Sequence, residues 1–348
     1  VPRKSLFNIN RSDESNNTGS CKMVKKISGL ASCFVLSSFS FLLGIEQTVL
    51  AADKFPSRPI ELVIPFSAGG SHDAHARAIV SVTPGIIDQP MLVRLMPGGT
   101  GAIAAQYVAR SKPDGHTLLF GAPDTNTLVN QAQNLPYGKE DFIPIALINY
   151  SPTPIIARSD APFKTFKEFV SYAKANPGKI KYASAGVWGI PHVPFEYMQK
   201  KLGIKLTHVP YKGGGPALKA ILSGETMMSG SQVTQALSHI RAGKLNMLAI
   251  MDTKRHKSFP NVPTTAELGH PDFVFYLWRG VLAPKGTPPA IVKQLEDIFE
   301  KVAKDKSFYR MVKRFGEQVL HRRGKGFDEY WSAEYKKMGN LIRELKKK

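Results

Sequence analysis

The stretch VIPFSAGGSHDAHARAIV, residues 63–80, runs from an apolar strand-like segment through a glycine loop into a helix start. The same grammar returns in RLMPGGTGAIAAQYVA (94–109), YASAGVWGIPHVPFEYM (182–198) and HVPYKGGGPALKAIL (208–222). Glycine permits positive φ and lets a ligand approach the backbone. The helix start that follows presents N–H groups without intrahelical partners and the positive end of a dipole. Such a loop holds an anion without any charged side chain. At the carboxyl ends of parallel strands it lies where α/β proteins bind ligands. One loop alone reads equally well as a tight βα turn. Four of them, two in each half, point to a ligand cleft. In the last loop Pro216 is expected at the first helical position, after Gly213-Gly214-Gly215.

Outward from these loops, strand candidates fall at 60–64, 91–95, 117–121, 142–148, 180–183, 206–210 and 245–250. Several are continuously apolar, as parallel strands covered on both faces are. Thr165-x-x-Glu168 predicts a helix start, with Phe166, Phe169, Val170 and Ala173 on one face and Asn176-Pro177-Gly178 as its stop. Thr287-Pro288 predicts another, with Ile291, Val292, Leu295, Ile298, Phe299 and Val302 on one stripe. Strand–helix alternation predicts an α/β protein of two doubly wound lobes. The 348 residues suffice for it, and 43% hydrophobic against 21% charged residues excludes wholesale disorder. No repeat of 20–50 residues is visible. The basic C-terminus, Lys346-Lys347-Lys348, reads as a solvated helix end.

The N-terminal region reads as a targeting segment. Residues 1–22 are polar and irregular, and translation is expected to start at Met23. Lys25 and Lys26, an uncharged apolar run over 27–45, and small residues at Val49 and Ala51 predict a secretory signal peptide over 23–51. A retained anchor, or a lipobox at Leu30-Ala31-Ser32-Cys33, is the weaker alternative. Cleavage after Ala51 would remove both cysteines, Cys21 and Cys33, and with them thiolate chemistry. The expected location is a secreted compartment.

Lys and Arg number 47 against 27 Asp and Glu, a net charge of +20. That balance suits anionic partners. The basic residues are scattered and not interleaved with aromatics, so no nucleic-acid partner is expected. Other chemistry finds little support. Ser71-His72-Asp73 is a string of neighbours, whereas triads meet in space. No G-x-S-x-G or P-loop pattern occurs. His72 and His75 stand three apart without further ligands nearby, so no metal is expected. Gly99-x-Gly101-x-x-Ala104, with Asp124 downstream, fits a dinucleotide fingerprint, but an exported protein rarely meets free NAD. No cofactor is expected.

The order of the segments is itself informative. FPSRPIELVIPFSAGGSHD (55–73), PGGTGAIAAQYVARSKPDGHTLLFG (97–121), FKTFKEFVSYAKANPGKIKYASAG (163–186) and HVPYKGGGPALKAILSGE (208–225) occur in sequence, followed by HIRAGKLNMLAI, NVPTTAELG and WRGVLAPKGTPPAIV. Over about residues 54–340 the chain resembles the substrate-binding receptors of tripartite tricarboxylate transporters, the Bug-type solute receptors. The resemblance implies a two-lobed periplasmic-binding-protein fold (Venus flytrap, type II), each lobe a doubly wound mixed sheet flanked by helices. It implies lobe one at 54–150 plus 278–348 and lobe two at 151–277, with crossings near Tyr150–Pro154 and Phe275–Gly280. It implies a monomer in the periplasm, without catalysis. The ligand would be a small organic mono- or dicarboxylate or aromatic acid. The partners would be the small and large membrane subunits of a transporter. A sensory role for the same fold, or a secreted hydrolase using Ser71, His72 or Asp73, stays open.

Carried over residue by residue, the first ligand loop is Phe66, Ser67, Ala68, Gly69, Gly70, Ser71, His72 and Asp73, with Asp73 expected to cap the loop. Asp124, Thr125 and Asn126 would close the cleft floor. Lobe two would contribute Ser184, Ala185, Gly186, Trp188 and His192, then Tyr211, Lys212, Gly213, Gly214 and Gly215. The chain departs from the family pattern at Ala68 and His72, at APDTNT (122–127), and at Trp188, which would supply either an aromatic wall or packing between the lobes.

Overall fold

The structure is a computed structural model, and it describes residues 54–347. The expected upstream extension, the start at Met23, the signal peptide and the two cysteines lie outside the described residues. In chain order the first half runs β1 (Ile60–Ile64), α1 (Ser71–Val82), β2 (Met91–Leu95), α2 (Ala102–Ala109), β3 (Thr117–Gly121), α3 (Val129–Ala132), β4 (Phe142–Pro152) and β5 (Pro154–Arg158). Next come α4 (Phe166–Ala175), β6 (Lys181–Ser184), α5 (His192–Leu202), β7 (Thr207–Pro210), α6 (Gly214–Ser223), β8 (Met228–Ser229), α7 (Val233–Arg241) and β9 (Leu245–Ile250). The chain closes with β10 (Tyr276–Pro284), α8 (Pro289–Lys304), α9 (Lys306–Arg314), β11 (Arg322–Arg323) and α10 (Gly324–Lys346).

The strands form two mixed sheets, one per lobe. The larger is ordered β11-β4-β10-β3-β1-β2, with β1 parallel to β2 and β3, and β10 antiparallel to β3 and β4. The smaller is ordered β7-β6-β8-β5-β9, with β6 parallel to β7 and β8, and β5 antiparallel to β8 and β9. Both faces of the larger sheet are covered over its central strands, which are therefore predominantly apolar, while the edge strands β2 and β11 keep exposed residues. One face packs Ile60, Ile79, Leu295 and Phe299, and the other packs Val63, Ala104, Trp278 and Trp331. In the smaller lobe, Phe169, Tyr182 and Phe195 pack in one cluster and Ile156, Ile221 and Leu245 in another. Met338 and Ile342 of α10 join the first of these clusters, so the last helix spans both lobes. The chain leaves the larger sheet at Pro152 and enters the smaller at Pro154, and it returns between Ile250 and Tyr276. No helix among the described residues is long and apolar enough to cross a membrane.

Strands β1, β2, β3 and β9 have the ends expected from the sequence. Four strands were not anticipated. β5 follows β4 after the single residue Thr153, β8 and β11 have two residues each, and β10 carries Arg279 inside an apolar run. The α4 start is built as expected on Thr165, whose Oγ1 accepts the Glu168 amide at 3.2 Å. The Glu168 carboxylate accepts the Lys164 amide, one residue before the cap. Helix α6 begins earlier than expected. Gly213 is its N-cap, so Pro216 is the third helical residue rather than the first. Its missing N–H costs nothing there, because first-turn donors have no intrahelical partner. Helix α8 starts at Pro289, with Pro288 as the cap.

Candidate ligand-binding cleft

Four helices begin at one cavity between the lobes. Gly70, Ser71 and His72 bring the start of α1, Ile190 and Pro191 that of α5, Gly214 and Ala217 that of α6, and Gln232 and Gln235 that of α7. None of the four is capped by its own N-cap side chain, which is also true of α2, α3, α8 and α10, whereas α4 and α9 are capped by Thr165 and Asp305. Their first turns bring N–H groups and positive dipole ends to the cavity, and one of these groups, on Ser71, is taken by Gln235. No lysine or arginine lines it. The walls also carry Phe66, Ile190 and Leu277, so the cavity combines apolar sides with amide-rich ends.

The loops from the two lobes bond across this closed cleft. Ser67 donates through Oγ to the Lys212 carbonyl at 2.8 Å, and Thr100 through Oγ1 to that of Val187 at 2.7 Å. The Gln235 side chain accepts the Ser71 amide at 2.9 Å and donates to the Gly214 carbonyl at 2.8 Å, joining the starts of α1 and α6. The glycines have a use the sequence did not suggest. A Cβ on Gly215 would lie 2.5 Å from the Ala68 carbonyl oxygen, and one on Gly213 (φ +141°) 2.9 Å from the Ser67 nitrogen. Lobe meets lobe here backbone to backbone.

Of the residues expected at the site, Phe66, Gly70, Ser71, His72, Asp124, Ser184, Ala185 and Gly214 line the cavity. Gly186, Tyr211 and Lys212 line a neighbouring opening with Gly98–Gly101. The others sit behind the walls. Ser67, Ala68, Gly69, Gly213 and Gly215 make the loop-to-loop contact. Asp73 caps its loop, accepting the Gly69 amide at 2.9 Å and Arg77 Nε at 2.8 Å. Thr125 is buried and donates to the Thr100 carbonyl, and Asn126 accepts the Ala122 amide. Trp188, at φ +61°, turns to His192 and to Lys346 of α10, whose ammonium lies 5.9 Å from its ring centre. Its ring packs between lobes instead of walling the cavity. Lys346 also donates to the Ala132 carbonyl, so the basic terminus is anchored there rather than simply solvated.

His192 braces the third loop. Its Nδ1 accepts the Trp188 amide at 3.0 Å, and its ring stacks on His208 at 4.1 Å. Burial pushes His192 down to about 4, and burial with the neighbouring His192 pushes His208 down to about 3. His208 Nε2 meets the Ser184 hydroxyl at 2.6 Å. Sequence reading missed Ile190, Pro191, Ala217, the run Ser229-Gly230-Ser231, Gln232, Gln235 and Leu277. The small polar run SGSQ (229–232) before α7 was the available signal, but β8 ahead of it is too short to read as a strand.

The titratable groups are held neutral or paired. His72 lies against Phe66 and Phe120, and burial, with Arg279 and His75 nearby, holds it well below the usual imidazole range. Burial pushes Asp124 up to about 7, against the Ile190 amide and the Arg279 charge. Beneath α1 lies a closed network. Glu317 accepts Arg279 Nη1 and Asn149 Nδ2 at 2.7 Å each and the Thr234 hydroxyl. His75 donates through Nδ1 to the Ser71 carbonyl at 2.8 Å and faces Glu317 at 3.3 Å. Burial alone would raise the Glu317 carboxyl, but Arg279 and His75 hold it well below its ordinary range. The network joins the α1 start to β4, β10 and α7. Ser71, His72 and Asp73 do not form a relay, since both oxygens of Asp73 are taken by Gly69 and Arg77, and His72 Nε2 has no partner. Among the described residues no three His, Cys, Asp or Glu side chains are placed to share a metal ion.

The architecture is that of solved periplasmic binding proteins. The chain superposes on the periplasmic binding protein BugD with a TM-score of 0.80 and 30% identity, over 84% of this chain and 98% of that one. On MatC from Rhodopseudomonas palustris with bound malate the TM-score is 0.79 and the identity 30%, over 83% and 100%. BugT of Bordetella pertussis is 34% identical over 261 residues, 74% of this chain and 80% of that protein. The sequence pattern of the tripartite tricarboxylate transporter family receptor matches residues 76–346. The chain therefore belongs to the tripartite tricarboxylate transporter receptor family, the family of solute-binding proteins that includes the Bug receptors.

Proposed function

We propose that this protein captures a small organic carboxylate between its lobes in the periplasm and delivers it to the membrane subunits of a tripartite transporter, without catalysing a reaction. The observation that carries the reading is the meeting of four helix starts at one cavity without a basic side chain. Aligned N–H donors bind a carboxylate and release it unchanged. The malate bound by MatC, a structural relative, agrees with this chemistry. The loops of the two lobes bond to each other across the cleft, so entry requires the lobes to part and reclose. Differential affinity for the closed state then drives capture. With Trp188 outside the cavity, its apolar walls are left to Phe66, Ile190 and Leu277, which favours aliphatic over aromatic acids.

The test is thermal unfolding of the purified protein with mono-, di- and tricarboxylates and aromatic acids. A ligand at about 100 times its Kd adds about 2.7 kcal/mol, a rise of several degrees. A rise confined to aliphatic acids is expected, with the acid recovered unchanged. A panel without any response, or conversion of the acid to a product, would refute the reading.

A further inference from the structure

Asp124 is the one acidic residue in the wall of the cavity, at 1% exposure. Its Oδ1 accepts the Ile190 amide at 2.8 Å, while Oδ2 is buried and has no partner. Buried polar atoms are nearly always paired, and an unpaired carboxylate oxygen is costly. The charged groups facing it cannot fill the gap. Arg279 of β10 gives Nη1 and Nη2 to Glu317 and Asn149, and its remaining Nε donor is buried without a partner and bonds neither oxygen of Asp124; Glu334 of α10 is an acceptor itself, taken by Trp278 and Thr127. Gln232 adds a second unpartnered acceptor, Oε1, on a residue of the same cavity. We infer that the ligand carries an O–H or N–H donor that meets the free oxygen of Asp124, so that the cleft selects hydroxy or amino acids over acids offering only acceptors. This rests on the carboxylate-receptor reading and adds the chemistry of one subsite.

The residue falls in APDTNT (122–127), directly after β3. A plain dicarboxylate would set acceptor against acceptor at Asp124. A hydroxyl or ammonium completes the pairing while the helix starts hold the carboxylate.

Titration calorimetry of the purified protein at pH 8 with succinate, malate and aspartate tests this. Malate, aspartate or both are expected to bind at least about tenfold tighter than succinate, a difference of about 1.4 kcal/mol. A preference for aspartate alone identifies an ammonium donor, and one shared with malate shows that a hydroxyl suffices. In Asp124→Asn the free oxygen becomes an amide donor, and the preference should vanish or invert. Succinate binding as tightly as both partners overturns the inference without any variant, as does an unchanged ratio in Asp124→Asn. If none of the three acids binds while other carboxylates do, the subsite assignment fails alone. If no carboxylate binds, the receptor reading fails with it.

Discussion

Replacing Asp124 with Asn should stabilise the ligand-free protein, and increasingly so as pH rises. Burial raises the Asp124 carboxyl from 3.8 to about 7, and the group is fully buried, so solvent screening does not reduce the effect. Each pK unit is 1.36 kcal/mol, which makes the shift worth about 4 kcal/mol. The folded protein holds this proton more tightly than the unfolded chain does. Below about pH 4 both states are protonated and the carboxyl costs nothing. Between about pH 4 and 7 the unfolded chain has released its proton and the folded one has not, so stability falls as pH rises. Above pH 7 both are ionised and the full cost stays. Asparagine has no such proton, and it loses only the charge assistance of the Ile190 bond, about 1 kcal/mol. The net gain at pH 8 is therefore about 3 kcal/mol, shrinking towards zero or slightly below it at pH 4. Glu334, the carboxyl facing Asp124, is relieved of a neighbouring charge in the variant, which acts in the same direction. Urea unfolding of both proteins at pH 4.5 and 8 measures the difference, in which titrations uncoupled from Asp124 cancel. A difference independent of pH, or an alkaline loss in the variant, would refute the reasoning.

Three further outcomes follow from the geometry. Gly215→Val places branched carbon where the Ala68 carbonyl oxygen and the Gly69 backbone lie, so the cleft cannot close. Ligand affinity should fall at least about tenfold while the apo unfolding midpoint stays nearly constant, and unchanged affinity in calorimetry would count against closure through these loops. Arg279→Met leaves Glu317 buried without its cation, a loss of about 3–5 kcal/mol in urea unfolding, and adding Glu317→Leu should recover most of it. Thr165→Ala removes the α4 cap, with an expected loss of about 1 kcal/mol.

Legibility in the sequence followed the length of the signal. The strand–glycine–helix units around β1, β2, β6 and β7 were readable because an apolar run, a turn and a helix start reinforce one another within about twenty residues. The return strand β10 was not, because its buried Arg279 makes sense only beside Glu317 and Asn149, which are far away in the chain. The Ser229–Gln232 wall was hidden for a related reason. β8 is held by its neighbours β5 and β6 and not by its own two residues. Trp188 was left by its place in a glycine loop between an aromatic wall and packing between the lobes, and a left-handed backbone at that residue and Lys346 at the far end of the chain turn its ring away from the cavity. Sequence proximity identified the loops of the cleft, and only tertiary contact decided which of their side chains reach it.

The charge balance of the cavity explains why it needs no lysine. Each helix N-terminus carries about half a positive charge, so four of them supply about two. An ionised Asp124 removes one of these. A site of about one net positive charge matches one carboxylate group of the ligand. A fixed basic side chain would bind anions more tightly but with less discrimination among them. Dipoles belong to the helices of both lobes, α1 on one side and α5, α6 and α7 on the other, so their sum exists only while the cleft is closed. Opening divides the positive field between the lobes, and the ligand is released without any group having to move within either one.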